Sequence, residues 1–160
     1  AARLALKYLM DNPQPCYNGV GKAENGKPFL RQSSLNCSLS HCTEVAGAAL
    51  LPETAVGIDL EPIHPKILRV RQKFAGPEEL AQWGADLHSL VKLWCAKEAI
   101  YKLFGWNHIF FKDHIQILDE QNGRIVHPQI KADCGLWSGP VNEKVWMALA
   151  WLKVPPKEGG

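Results

Sequence analysis

Apolar and polar residues alternate along residues 55–61, A-V-G-I-D-L-E: Val56, Ile58 and Leu60 fall on one face of an extended chain, Gly57, Asp59 and Glu61 on the other. The pattern predicts a buried strand. A second periodicity governs residues 87–104. There Leu93, Ala96, Ile100 and Leu103 recur at helical spacing, Trp94, Glu98 and Lys102 lie four apart on the opposite side, and Gly105 is the usual residue at a helix C-terminus. A tryptophan in register with Glu98 and Lys102 is out of place on a fully wet face, so this side of the helix is expected to be partly covered.

The same reading predicts a short helix over 3–10, stopped by Asn12-Pro13, then a Pro-, Gly- and Asn-rich loop over 13–26 with a short strand near 17–20. Residues 36–41 (N-C-S-L-S-H) and 44–51 suit strands joined by a tight turn, and with 55–61 they suggest a three-stranded meander. Ser38 and Ser40 would share one face of the first of these strands. A helix is expected over 62–74, with Ile67, Val70 and Phe74 as its apolar stripe and Lys66, Arg69 and Lys73 on another face. Pro77 opens a further short helix. Beyond Trp106 the pattern turns to strands. Residues 114–118 and 124–130 flank a turn at Gln121-Asn122-Gly123, 133–140 reads as loop, 143–152 as a final strand carrying Val145, Met147, Leu149 and Trp151 on one face, and 155–160 as a frayed tail.

At 160 residues the chain suits one domain, or two small halves sharing a core. A hydrophobic fraction of 46% and a charged fraction of 21% are ordinary for a globule, and a net charge of +2 excludes a strongly electrostatic nucleic-acid binder. No apolar run approaches the roughly 18 residues that would span a membrane. The five cysteines lack paired zinc spacing, so reduced thiols and a cytoplasmic location are expected. The chain begins at Ala1, without Met, directly in a helical pattern, and missing N-terminal residues are expected.

Two acids at i and i+2 on a strand repel one another, and a divalent cation relieves that penalty; Mg²⁺ takes hard carboxylate oxygens at about 2.0–2.1 Å. The competing reading of Asp59 and Glu61 is a solvated acidic face on an edge strand. Gly57 would offer an open spot for a ligand beside the backbone. Residues 21–27 fit G-x-x-x-x-G-K, but Pro28 follows where a phosphate-binding loop carries Ser or Thr and no helical pattern comes after, so Asn25-Gly26 reads as a turn. Lys27 could face a phosphate or sit solvated on that turn. His41 could be a ligand contact or a hydrogen-bonded structural histidine. Glu98 and Lys102 could be a simple surface pair, and Lys66, Arg69 and Lys73 a solvated face or a docking surface for an acidic partner.

Three runs, N-x-S-x-S-H at 36–41, G-I-D-L-E at 57–61 and W-x-x-K-E-A-x-x-K at 94–102, in this order and separation, resemble the 4′-phosphopantetheinyl transferases. The surfactin-type branch fits best, because Lys27 and the Ser-His element precede the acidic strand. The resemblance covers about residues 26–111. It implies an α+β fold of two pseudo-symmetric halves, each an antiparallel sheet on a long helix: a shortened N-terminal half over 1–54, a C-terminal half with the metal site over 55–154, and a tail over 155–160.

The activity implied is transfer of the phosphopantetheine arm of coenzyme A, as substrate, to a serine of an apo acyl or peptidyl carrier protein, releasing 3′,5′-ADP. Asp59, Glu61 and Glu98 match the family's metal positions, for Mg²⁺ or alternatively Mn²⁺. Lys27, Ser40, His41, Lys97 and Lys102 match positions that bind coenzyme A, with His41 near its 3′-phosphate and Lys102 near the pyrophosphate. Glu98, directly or through a water, would serve as base, with Lys102 supporting the leaving group. The carrier's acidic helix would dock on Lys66, Arg69 and Lys73, and the motif order implies a monomer. Basic residues that grip the nucleotide upstream have only Arg3 and Arg31 as counterparts. The alternatives are a non-catalytic coenzyme A or carrier-binding module, and a metal-dependent hydrolase of coenzyme A.

Overall fold

The computed structural model describes residues 1–11, 17–105 and 108–153. The expected frayed tail, the Asn12-Pro13 stop and part of the 13–26 loop lie outside them. Helix α1 (Ala2–Asp11) leads to a small hairpin, β1 (Val20–Lys22) with β2 (Pro28–Leu30), and a second hairpin, β3 (Asn36–His41) with β4 (Ala46–Leu51). Then come β5 (Val56–Pro62), α2 (Lys66–Val70), a 3-10 turn (Arg71–Lys73), α3 (Pro77–Trp83), α4 (Leu87–Phe104), α5 (Phe111–His114), β6 (Ile115–Asp119), β7 (Asn122–His127), β8 (Ile130–Asn142) and β9 (Val145–Leu152). The last five strands form one antiparallel sheet in the order β5-β9-β8-β7-β6. This is an α+β fold, with α4 laid across one sheet face.

The α4 helix has the predicted bounds. Asp86 caps it, its Oδ1 accepting from the N–H groups of His88 and Ser89 at 3.0 and 3.1 Å, and Gly105 closes it at φ 61°. Leu93, Ala96, Ile100 and Leu103 are buried against the sheet as expected. Asn25-Gly26 is the turn of the first hairpin, with Gly26 N–H donating to Ala23 O at 2.8 Å and Gly26 at φ 83°.

The expected meander does not form. After the β3–β4 hairpin, β5 crosses to the main sheet and pairs with β9, Asp59 opposite Ala148 and Glu61 opposite Trp146. The N–H groups of Ile58 and Leu60 donate instead to Ser38 Oγ and Ser40 Oγ, each at 3.1 Å. Serine hydroxyls thus take up the strand edge that a meander would have paired backbone to backbone.

Three further boundaries differ. The β6–β7 turn lies at 120–121, so Asn122 and Gly123 already belong to β7. The expected loop over 133–140 is the middle of β8, a 13-residue strand, and α2 gives way to the 3-10 turn before Lys73. A small core around Leu6, Leu30 and Cys37 holds α1 and the hairpins; the large core lies between α4 and the main sheet. No helix among the described residues is long and apolar enough to cross a membrane. Cys37, Cys42, Cys95 and Cys134 are free thiols.

Candidate active site

Burial settles the two readings of the acidic strand. Asp59 is only 4% exposed, so the face it shares with Gly57 and Glu61 is covered rather than solvated. What covers it is α4. A methyl group on Gly57 would overlap the backbone carbonyl of Ala99, so Gly57 is not an open spot for a ligand: the helix backbone fills it. That close approach of strand and helix brings Asp59 and Glu61 beside Trp94, Glu98 and Lys102, the side of α4 expected to be covered.

Glu98 and Lys102 are not a surface pair. Lys102 Nζ donates to Asp59 Oδ1 at 2.7 Å and to Ser40 Oγ at 3.1 Å, and Ser40 Oγ in turn donates to the same carboxylate oxygen at 3.2 Å. Asp59 Oδ2 is buried with no partner. Glu61 Oε1 accepts from Trp94 Nε1 at 2.8 Å. Burial first, and the Asp59 charge second, push both Glu61 and Glu98 up to about 7.

Three carboxyls therefore share a half-dry space with one ammonium, and burial, with the Asp59 charge adding to it, shows in the raised pKa values. Hard oxygen donors, an orphaned Asp59 oxygen and uncompensated charge are the chemistry a Mg²⁺ or Mn²⁺ ion would satisfy. Among the described residues no three such groups already stand in ion-ligating geometry. Lys102 holds Asp59 instead.

Basic residues flank the acids. A cavity of about 250 Å³ between the first hairpin, β3 and the end of α4 is lined by Lys22, Lys27, Ser38, Tyr101 and Lys102. Lys27 is neither purely solvated nor free: it is half-buried and Nζ donates to Leu103 O at 2.6 Å, which caps the helix C-terminus, while burial lowers its pKa. A neighbouring cavity of about 510 Å³ is lined by Arg3, Lys22 and the exposed His41; Arg31 does not line it. On the other side of Glu61 a cleft of about 360 Å³ is lined by Pro62, His64, Lys66, Val70 and Trp94. Lys66, Arg69 and Lys73 are exposed, the last on the 3-10 turn rather than in helical register.

Lys97 is elsewhere. It is fully buried, and its ammonium donates to Glu79 Oε2 at 2.6 Å, Phe74 O at 2.8 Å and Phe111 O at 3.0 Å. With all three donors engaged in the protein interior, it has none left for coenzyme A, which corrects the expectation for this residue. Sequence reasoning missed Lys22, which lines both basic cavities, and Ser38. Lys22 carried no motif signal; Ser38 shares the strand face of Ser40 and was legible only as its neighbour.

The 4′-phosphopantetheinyl transferase superfamily model matches residues 55–139, from the acidic strand through α4 into β8. That is more than half of the chain, and the protein belongs to this superfamily, whose chemistry is phosphopantetheine transfer. No curated protein matches the chain. Lys27, Ser40 and His41 precede the matched span.

Proposed function

We propose that the protein moves the 4′-phosphopantetheine arm of coenzyme A onto a serine of an apo acyl or peptidyl carrier protein and releases 3′,5′-ADP. The observation that carries this reading is the packing of Asp59 and Glu61 on β5 against Glu98 and Lys102 on α4, with lysine-lined cavities alongside, in a chain of this superfamily. The order of Lys27, Ser40 and His41 ahead of the acidic strand in the chain supports the surfactin-type branch, with 1–54 as a shortened N-terminal half and 55–154 as the C-terminal half.

Asp59, Glu61 and Glu98 would hold Mg²⁺, which when bound neutralises pyrophosphate oxygens. Lys102 exchanges its bond to Asp59 for the departing phosphate, and Ser40 follows it as a donor. Lys27 and His41 bind the nucleotide end, His41 at the 3′-phosphate, with Lys22 and Arg3 adding charge. The carrier serine oxygen forms a bond to the pantetheine-bearing phosphorus while the bond to the bridging oxygen breaks; Glu98, directly or through a water, takes the serine proton. The carrier's acidic helix docks on Lys66, Arg69 and Lys73, beside the cleft that reaches Glu61.

Mass spectrometry of several apo-carriers incubated with coenzyme A and Mg²⁺ tests this. Appearance of the arm on a carrier serine, lost in Glu98→Gln, is the expected result. Coenzyme A binding with no transfer to any carrier would leave a binding module, and 3′,5′-ADP formed without a carrier would indicate a hydrolase.

A further inference from the structure

The segment 94–97 supplies two side chains that the proposed chemistry does not touch. Trp94 stands between Phe74 and Phe111, its ring centroid 5.0 Å from each. The carbonyls of those same two phenylalanines are the ones Lys97 fastens. Phe74 closes the 3-10 turn and Phe111 starts α5, and Lys97 ties the two segments to α4. Trp94 in turn holds Glu61 Oε1.

A buried ammonium is a costly way to fill this space. Glu79 compensates the charge at 2.6 Å, yet its own Oε1 is left buried without a partner. Apolar residues of similar volume are often as stable as such a pair. What lysine adds is direction: three donors on one nitrogen fix two carbonyls and a carboxylate relative to α4.

We propose that Lys97 and Trp94 are positioning residues for Glu61. Lys97 sets Phe74 and Phe111, their rings set the plane of the indole, and the indole N–H fixes Oε1 of Glu61 so that Oε2 is presented to a divalent cation. Donors that orient a metal-ligating carboxylate in this way change metal affinity by about 10- to 100-fold when removed. The inference rests on the metal role proposed for Glu61.

The test is Mn²⁺ binding followed by the loss of the free-ion electron paramagnetic resonance signal, which needs no carrier and no turnover. Trp94→Phe keeps the ring and deletes the N–H; Lys97→Met with Glu79→Leu removes both charges; Phe111→Leu removes one clamping ring. Each is expected to weaken Mn²⁺ binding at least tenfold while leaving calorimetric coenzyme A affinity in metal-free buffer unchanged. Wild-type Mn²⁺ affinity in Trp94→Phe overturns the last link. Wild-type affinity in the folded double variant overturns the first, and should that variant fail to fold, Phe111→Leu decides it by the same readout. A wild-type protein that binds no Mn²⁺ overturns the metal site itself and the relay with it, a result distinct from either variant outcome.

Discussion

Glu61 and Glu98 titrate higher in the fold than in the unfolded chain, raised from 4.5 to about 7 by burial and by Asp59. Between these values the unfolded chain has released protons that the folded chain still holds. Stability therefore falls as pH rises from about 4.5 to about 7 and levels off above. In metal-free buffer the melting temperature should decline across that window, and the decline should be smaller in Glu98→Gln, which cannot ionise there. Differential scanning fluorimetry at a series of pH values reads both; equal slopes for wild type and variant would remove Glu98 as a contributor. A divalent ion binds only the ionised carboxylates. Mg²⁺ should accordingly raise the melting temperature more at pH 7.5 than at pH 5.5, and a uniform rise would indicate binding elsewhere. The identity of these acids was readable from residues 57–61 and 94–102. Their energetics were not, because the pKa shifts come from burial created by packing between two elements.

Among the elements, α4 was legible from end to end because its signals are local: an apolar stripe and a stop at Gly105. The acidic strand was legible as a strand, but its partner β9 lies at the far end of the chain, and no local pattern names a distant partner. The middle of β8 was misread for a different reason. Gly135, Gly139 and Pro140 are turn residues by composition, yet in the sheet the ring of Trp151 occupies the space above Gly135 and that of Trp137 lies against Gly139. Pro140 sits at a register shift near the strand end, where a missing N–H is tolerated. Gly57 follows the same logic at the site, since the missing side chain lets α4 approach β5. Gly57→Ala should destabilise by about 1–3 kcal/mol, the usual range for an overpacked core position. It should also push α4 off β5, weakening the Lys102–Asp59 contact. Denaturant unfolding measures the first effect. Loss of transfer activity larger than for an equally destabilising change in the Leu6 core would register the second, and equal losses would count against it.

At the scale of the molecule, the candidate site lies on the seam where the β3–β4 hairpin meets the main sheet. That seam is held by two serine hydroxyls accepting from β5 and by Lys102, which bridges β3 and β5 from α4. The small core around Leu6 lies on one side of it and the large core on the other. Loosening the serine contacts should shift the hairpin side of the lysine-lined cavities relative to the acids on β5. Ser38 is the place to test this, because among the described residues it bonds no charged side chain, unlike Ser40, and holds the seam by accepting the Ile58 N–H. Ser38→Ala leaves that buried donor unpaired, at a cost of about 1–3 kcal/mol. The Ile58 amide should then exchange with solvent faster than its neighbours on the β9 side of the strand, as read by hydrogen exchange with mass spectrometry or NMR. Mn²⁺ affinity, whose proposed ligands Asp59, Glu61 and Glu98 all sit on β5 and α4, should stay near wild type while coenzyme A affinity falls. Parallel losses of both ligands would mean that the hairpin and the main sheet act as one rigid unit, and that the seam has no part in bringing cations and acids together.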